Sequence, residues 1–306
     1  MKRSLSLRLL LILPSVWLIL TMIFLLIHIV PGDPVQQMLG PDAQASDVLQ
    51  FRHELGLDLP VSVQYAHYLG NLVRGNWGES YHFRAPVFGL VFERYPATLE
   101  LSLAALAVCL AIAIPAGVFS ASRRGSTRDR ATSVLTLLGL SVPNFALGPL
   151  LILFFSVELG WLPVSGRGGL SHLVLPALTL GAALAAILTR MVRGSMLEEL
   201  SSDYVRTARA KGLPERAVLF HHAFPNALIP IITIVGLQFG TLLAGTIVTE
   251  TIFSWPGIGR LAVQAIQSRD YPLLQGCILV IALSYVAVNL LTDLLYALVD
   301  PRVRLS

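Results

Sequence analysis

The chain has 306 residues, of which 55% are hydrophobic and 13% charged, and its formal net charge is +4. A soluble domain of this length carries roughly a quarter charged residues, so a large water-soluble core gives way to a bundle of membrane helices, each about 20 mainly apolar residues long. The basic residues lie between apolar runs and form no groove or aromatic platform, which argues against nucleic-acid binding; Cys109 and Cys277 both sit inside apolar runs, which argues against a disulfide framework or metal site.

The first apolar run, Leu9–Val30, follows Lys2, Arg3 and Arg8. It exceeds the about 7–15 residues of a signal-peptide core and no A-x-A pattern follows it, so it predicts a retained first span. Pro31–Ala97 is too long for a simple connector. Within it, Asp33-Pro34-Val35-Gln36 has Asp at N-cap, Pro at N1 and Gln at N3, predicting an external, partly helical segment between spans one and two. Further spans are predicted at Thr98–Ser122, Ala131–Val157, Leu173–Arg193, Ala227–Thr249 and Leu273–Val299. Pro143 and Pro149 fall inside the third. Such prolines are tolerated where neighbouring helices or water satisfy the freed backbone groups, so this span is expected to face protein or a pathway.

Lys and Arg near the span ends set the orientation. Arg123, Arg124, Arg128 and Arg130 stand against one acid, Asp129, between spans two and three; Arg193, Arg206, Arg209, Lys211 and Arg216 lie around the loop after span four. With the N-terminal cations and with Arg302 and Arg304 they share one side if the spans number six. The chain thus divides into residues 1–30 (cytoplasmic end and first span), 31–97 (external), 98–299 (five-helix core, with a cytoplasmic loop at 194–226) and 300–306 (cytoplasmic C-terminus).

The loop Ser201–Pro230 is the long polar, basic segment of the second half. Ser202 is a candidate N-cap, the helix runs to about Lys211, Gly212 stops it and Pro214 follows. About two and a half turns are too few for stability alone in water, so this helix must pack on something. Ala208 and Ala210 are small, whereas Arg206, Arg209 and Lys211 supply charge. An ordinary positive-inside loop and a docking surface for a soluble partner both fit these residues.

The loop resembles the cytoplasmic loop of ABC-importer permeases, whose pattern is E-A-A, three residues, Gly, nine residues, then I-x-L-P. Arg206-Thr207-Ala208 stands at the triplet, Gly212 at the glycine, His222 at the Ile, and Phe224-Pro225 at L-P. Further matching segments are Pro31-Gly32-Asp33-Pro34, the run Leu55–Ser80, Ser141-Val142-Pro143-Asn144-Phe145, Phe253–Arg260, Arg269-Asp270-Tyr271-Pro272 and Asp300-Pro301-Arg302. Nearly end to end, the chain is similar to the shorter, first permease of the dipeptide/oligopeptide/nickel/glutathione branch.

The resemblance implies an all-α integral membrane protein of the type I ABC-importer permease fold, with six transmembrane helices, in a bacterial inner membrane. It further implies a second permease subunit, two ATPase subunits at the cytoplasmic face, and a periplasmic or lipid-anchored solute-binding protein. ATP and Mg would sit on the ATPases, with no cofactor on this chain. The coupling residues carried over are Asp203, Tyr204, Arg206, Thr207, Ala208, Arg209, Ala210, Lys211, Gly212 and Pro225. The implied cargo is a di- or oligopeptide or a glutathione-like peptide, with nickel or another small solute as the alternative.

Small residues recur four apart at Gly236, Gly240 and Ala244 and at Ala177, Gly181 and Ala185. Such stripes let membrane helices approach closely, either within the chain or at the partner permease. Pro143, Asn144 and Gln238 join them as pathway candidates, and Asn289 and Asp293 share one face of span six. After the turn Trp255-Pro256-Gly257, the residues Ile258, Leu261, Ala262, Ala265 and Ile266 follow helical spacing. That stripe predicts a membrane-surface anchor, or an external gate and binding-protein contact including Asp33, Trp255, Pro256, Gly257, Gly259 and Arg260. His221-His222 lacks further ligands for a metal. The sequence contains no Walker A pattern and no G-x-S-x-G elbow, so neither an ATP site nor a hydrolase is predicted. A self-contained secondary carrier would place ionisable groups near the midplane, often with repeat symmetry; few such groups and no repeat are present.

Overall fold

The structure is a computed structural model that describes residues 2–29, 35, 44–54 and 56–299. The expected cap at Asp33-Pro34 and the C-terminal residues 300–306 lie outside the described residues. Among these, regular structure is helical apart from a lone bridge between Glu79 and Pro86. The α-helices longer than one turn are α1 (Lys2–Ile29), α2 (Ala45–Glu54), α3 (Val61–Val73), α4 (Val87–Ser122), α5 (Thr127–Ser141), α6 (Asn144–Leu151), α7 (Leu170–Leu200), α8 (Asp203–Ala210), α9 (Phe224–Gly245), α10 (Ile247–Ile252), α11 (Ile258–Gln267) and α12 (Tyr271–Val299), and a short turn Glu215–Ala217 with a π-helical stretch Val218–Ala223 leads into α9.

Among the described residues, four helical stretches are long and apolar enough to cross a membrane: Val87–Ser122, Leu170–Leu200, Glu215–Leu243 and Tyr271–Leu295. The expected third span is not one straight helix. Its two halves, Thr127–Ser141 and Asn144–Glu158, meet at 98°. Pro143 lacks an N–H and pushes the preceding residue out of the helical region; Val142 is accordingly extended, at φ −90° and ψ 114°. The second half passes into a π-helical stretch, Ile152–Glu158. In α1 the described apolar stretch is Leu13–Leu25.

The contacts divide the chain into two units. One comprises Lys2–Ala97 with Gly257–Ser284. Here Phe24 of α1 stacks on Tyr65 and Tyr68 of α3, with centroids 5.1 and 5.6 Å apart. Gln64 fixes the preceding turn by donating to the Leu57 and Leu59 carbonyls at 3.3 and 2.8 Å. Buried Asp270 accepts from Ser80 Oγ at 2.5 Å and from the His82 N–H at 3.1 Å, and caps α12 through the Leu273 N–H at 3.2 Å. The apolar stripe of α11 is present, but its residues Ile258, Leu261, Ala262 and Ala265 are buried in a cluster with Val87, Val91, Leu273, Cys277 and Val280. Apart from Ile266, which is 59% exposed, the stripe is therefore covered by helices of this chain and not laid open as a membrane-surface anchor.

The other unit comprises Thr98–Pro256 and the chain from Tyr285 onward. Its core gathers Cys109, Ala113 and Val118 of α4, Leu188, Val192 and Met196 of α7, and Ala227 and Ile231 of α9. Val205 and Ala208 of the short α8 belong to the same cluster.

Candidate functional site

The candidate site begins at α8. Ser202 has the extended backbone of an N-cap, φ −72° and ψ 155°, but its hydroxyl donates back to the Glu199 carbonyl at 2.6 Å instead of capping a helical N–H. Its helical stop is built as the sequence demands. Gly212 has φ +78°, a region that glycine enters without steric cost, and its N–H donates to the Arg209 carbonyl at 2.9 Å.

Two faces of α8 follow. Val205 and Ala208 are buried, packed with Val192, Met196, Val218, Ala223 and Ala227. Asp203, Tyr204, Arg206, Thr207, Arg209, Ala210 and Lys211 are exposed, as are Gly212 and Pro225. Arg209 is already engaged, donating to Glu215 at 2.7 and 3.3 Å. Arg206 lies 3.4 Å from Asp203, an exposed pair worth little by itself. Lys211 has no acidic partner among the described residues.

Tyr204 joins α8 to the helices on either side. Its hydroxyl donates to Glu199 Oε2 of α7 at 2.5 Å and accepts from Asn226 Nδ2 of α9 at 2.9 Å; Asn226 also donates to the His222 carbonyl at 3.1 Å. Burial, and then the bond to Glu199, push the Tyr204 hydroxyl above its usual range, which keeps its proton available for donation. Beside this network, Pro214, Arg216, Ala217, Phe220 and His221 line an open groove of about 450 Å³. Phe220 is 49% exposed and Leu213 38%, giving the basic surface an apolar component. Sequence reasoning named Tyr204 but missed Glu199, Asn226, Glu215 and Phe220. The one available signal was that Phe220 and Leu213 are large apolar residues in a polar loop.

At the other end of α7 lies a second cluster. Trp255 is fully buried and its N–H donates to the Glu250 carbonyl at 2.8 Å. The Arg167 guanidinium stands 5.9 Å from the Trp255 ring and pairs with Glu100 at 2.8 Å through Nε. Gly166 donates to the Phe253 carbonyl at 2.8 Å. The Glu250 carboxylate is fully buried and accepts from Thr98 at 2.7 Å and Thr246 at 3.0 Å. In the other unit, Gly257 and Gly259 are buried and Arg260 half-buried at the start of α11. Pro256 is half-buried.

The small-residue positions meet helices of this chain. A Cβ on Gly181 would lie 2.7 Å from the Ala105 carbonyl and 2.8 Å from Val108 of α4. One on Gly236 would run into Thr292 of α12, and one on Gly240 would lie 3.0 Å from the Tyr285 ring. The side chain of Ala244 lies outside the described residues. Pro143 is exposed and Asn144 half-buried at the break between α5 and α6. Gln238 is half-buried, with no hydrogen-bond partner among the described residues. Asn289 Oδ1 is a buried acceptor without a partner among them. His221 is exposed and His222 half-buried; among the described residues no three His, Cys, Asp or Glu side chains gather as metal ligands.

Residues 113–305 match the family described as binding-protein-dependent transport system inner membrane component, and residues 1–113 match its N-terminal companion. The chain is 44% identical over 297 residues to the glutathione transport system permease protein GsiC of Escherichia coli K12, covering 97% of each chain. It is equally similar to GsiC of Shigella dysenteriae serotype 1, at 44% with 97% of each chain covered. Among solved structures it is similar in fold to a chain of the inward-facing MetNI methionine ABC transporter, with a TM-score of 0.60 and 18% identity over 69% of this chain and 96% of that one. A chain of an amino acid ABC transporter with histidines gives a TM-score of 0.51 at 19% identity, over 70% of this chain and 94% of that one. At such identities the likeness concerns the fold alone.

Proposed function

This chain belongs to the family of binding-protein-dependent transport system inner membrane components, and we propose that it is one of two membrane-spanning permease subunits of an ABC importer for small peptides, of di- or oligopeptide or glutathione-like type. The observation that carries this reading is the two-faced α8. Its Val205 and Ala208 are locked into the core formed by α4, α7 and α9, while Arg206, Thr207, Ala210 and Lys211 are exposed on the outside. A helix held that firmly moves with α7 and α9, so a partner gripping its outer face would move the spans. The 44% identity to glutathione permeases supports the cargo class.

In this reading the basic loops and both termini face the cytoplasm, in keeping with the distribution of Lys and Arg. Two ATPase subunits hold ATP and Mg and receive α8 together with the groove at Phe220. Their closure favours one conformation of the spans over the other, which is the differential interaction that any ligand-driven shift requires. A solute-binding protein delivers cargo at the opposite face, with Trp255, Pro256, Gly257, Gly259 and Arg260 as gate or contact residues and Asp33 as a further candidate. Pro143, Asn144 and Gln238 are candidates for lining the route; the half-buried Gln238 amide needs a polar partner that cargo or water would supply.

Uptake by the reconstituted importer tests this. Labelled glutathione or dipeptide should enter proteoliposomes only with ATP and binding protein present. ATP-independent uptake by the chain alone would replace the reading with a secondary carrier, and ATP-driven uptake restricted to nickel would replace the cargo.

A further inference from the structure

We infer that the turn between α4 and α5 is an ordered binding site for the phosphate of an anionic phospholipid in the cytoplasmic leaflet, held by Arg123 and Arg128 around the ring of Phe119. The inference uses the orientation proposed above. Phe119, in the last turn of α4, is 44% exposed. The guanidinium of Arg123 stands 5.1 Å from its ring centroid and that of Arg128 stands 5.7 Å away. Both arginines are exposed, together with neighbouring Arg124 and Arg130, and none of the four has an acidic partner among the described residues.

The nearby acid does not neutralise them. Asp129 is consumed by Arg193 at 2.7 and 2.9 Å, by Ser120 Oγ at 2.5 Å and by the Gly125 N–H at 2.9 Å. These bonds fix the turn itself, from Ser120 through Gly125. Arginines that serve only to set topology need a side of the membrane, not a fixed loop. Here the loop is fixed and two guanidiniums converge on one aromatic ring.

A local conflict points the same way. Arg128 and Arg130 stand in the first turn of α5, where the helix dipole disfavours cations. A bound anion relieves that conflict and also answers the converged guanidiniums, whose fork geometry suits phosphate. The exposed Phe119 supplies an apolar surface for the adjoining glycerol and acyl carbons. A phospholipid offers both parts; a free phosphate offers one.

Native mass spectrometry of the detergent-exchanged importer complex tests the site, reading phosphatidylglycerol and cardiolipin retention and ATPase-subunit content on the same sample. The unmodified complex should retain anionic lipid, and Arg123→Gln with Arg128→Gln, which removes two charge-assisted contacts, should cut retention by roughly tenfold or more. Arg123→Lys with Arg128→Lys keeps the charge count and the topology but removes the stacked forks, and should also lower retention. Arg74→Gln, at an exposed position of the external segment, removes one cation elsewhere and should leave retention unchanged. Undiminished retention in the glutamine variant would reduce the arginines to topology determinants and overturn the inference, and undiminished retention in the lysine variant would overturn the guanidinium forks as its basis. Displacement by millimolar inorganic phosphate would overturn the lipid as occupant, and loss of the ATPase with lipid retained would assign the face to a protein. Absence of an ATPase from the unmodified sample would fail the importer reading, yet lipid retention would still be read from the chain.

Discussion

Asp129 and Arg193, 64 residues apart, form a two-point ion pair: Nε donates at 2.7 Å and Nη2 at 2.9 Å, one to each carboxylate oxygen. The Asp129 side chain is 7% exposed and that of Arg193 29%. Arg193 lies one to two turns before the end of α7, next to the core that holds α8. The pair thus ties the turn between α4 and α5 to the helix that leads into the candidate coupling loop.

Removing one partner strands the other. Arg193→Met should therefore destabilise the chain, by less than the about 3–5 kcal/mol seen when a fully buried pair is broken, because Arg193 is partly in water. Exchanging the two residues should not restore stability. Ser120 and Gly125 donate to the carboxylate at position 129 and would face a cation instead. Thermal melting of the solubilised complex checks both; a fully stable exchange variant would show that the pair acts through charge alone.

Gly212 sits at φ +78° with open space around its missing Cβ. Gly212→Val should cost about 1–2 kcal/mol through backbone strain, fraying the end of α8 and weakening ATPase retention. Gly212→Asn should be better tolerated, since Asn enters this conformation more readily. Equal retention of the ATPase in the two variants would mean that the stop of α8 is irrelevant to docking.

Gly236 and Thr292 permit close contact of α9 and α12. Gly236→Ala should lose about 1–3 kcal/mol by overpacking, and Thr292→Ala in the same chain should recover much of the loss. Complex yield and melting temperature report this. An unaffected single variant would indicate that the helices part freely there.

Tyr204→Phe removes a hydroxyl that bridges Glu199 and Asn226. At this partly exposed site the stability loss should be small, about 1 kcal/mol. Transport should fall several-fold relative to ATP hydrolysis, because α8 would follow α7 and α9 less tightly. Parallel assays of hydrolysis and uptake separate these effects, and an unchanged ratio would exclude Tyr204 from transmission.

What the sequence made legible was whatever depends on local backbone chemistry. Gly212 and Pro214 announced the end of α8, and Pro143 announced a special third span, though not its 98° bend. The apolar stripe of α11 was visible from its spacing, but spacing does not say what covers a stripe; Val87, Leu273 and Cys277 do so from distant parts of the chain. Glu199, Tyr204 and Asn226 follow no periodicity, and neither do Asp129 and Arg193. Polar side chains that meet across 22 or 64 residues leave no local signature. At α8 itself, the small size of Ala208 signals close packing in the sequence, whereas the fully buried Val205 on the same face carries no such signal.

The measurement that bears most directly on the permease reading is co-purification of the tagged chain from membranes expressing its neighbouring genes, followed by an ATPase assay on the product. Recovery of a second permease with an ATP-hydrolysing subunit, and loss of that subunit on Gly212→Val, is the expected result. A chain that purifies alone, remains stable and transports solute without ATP would contradict it.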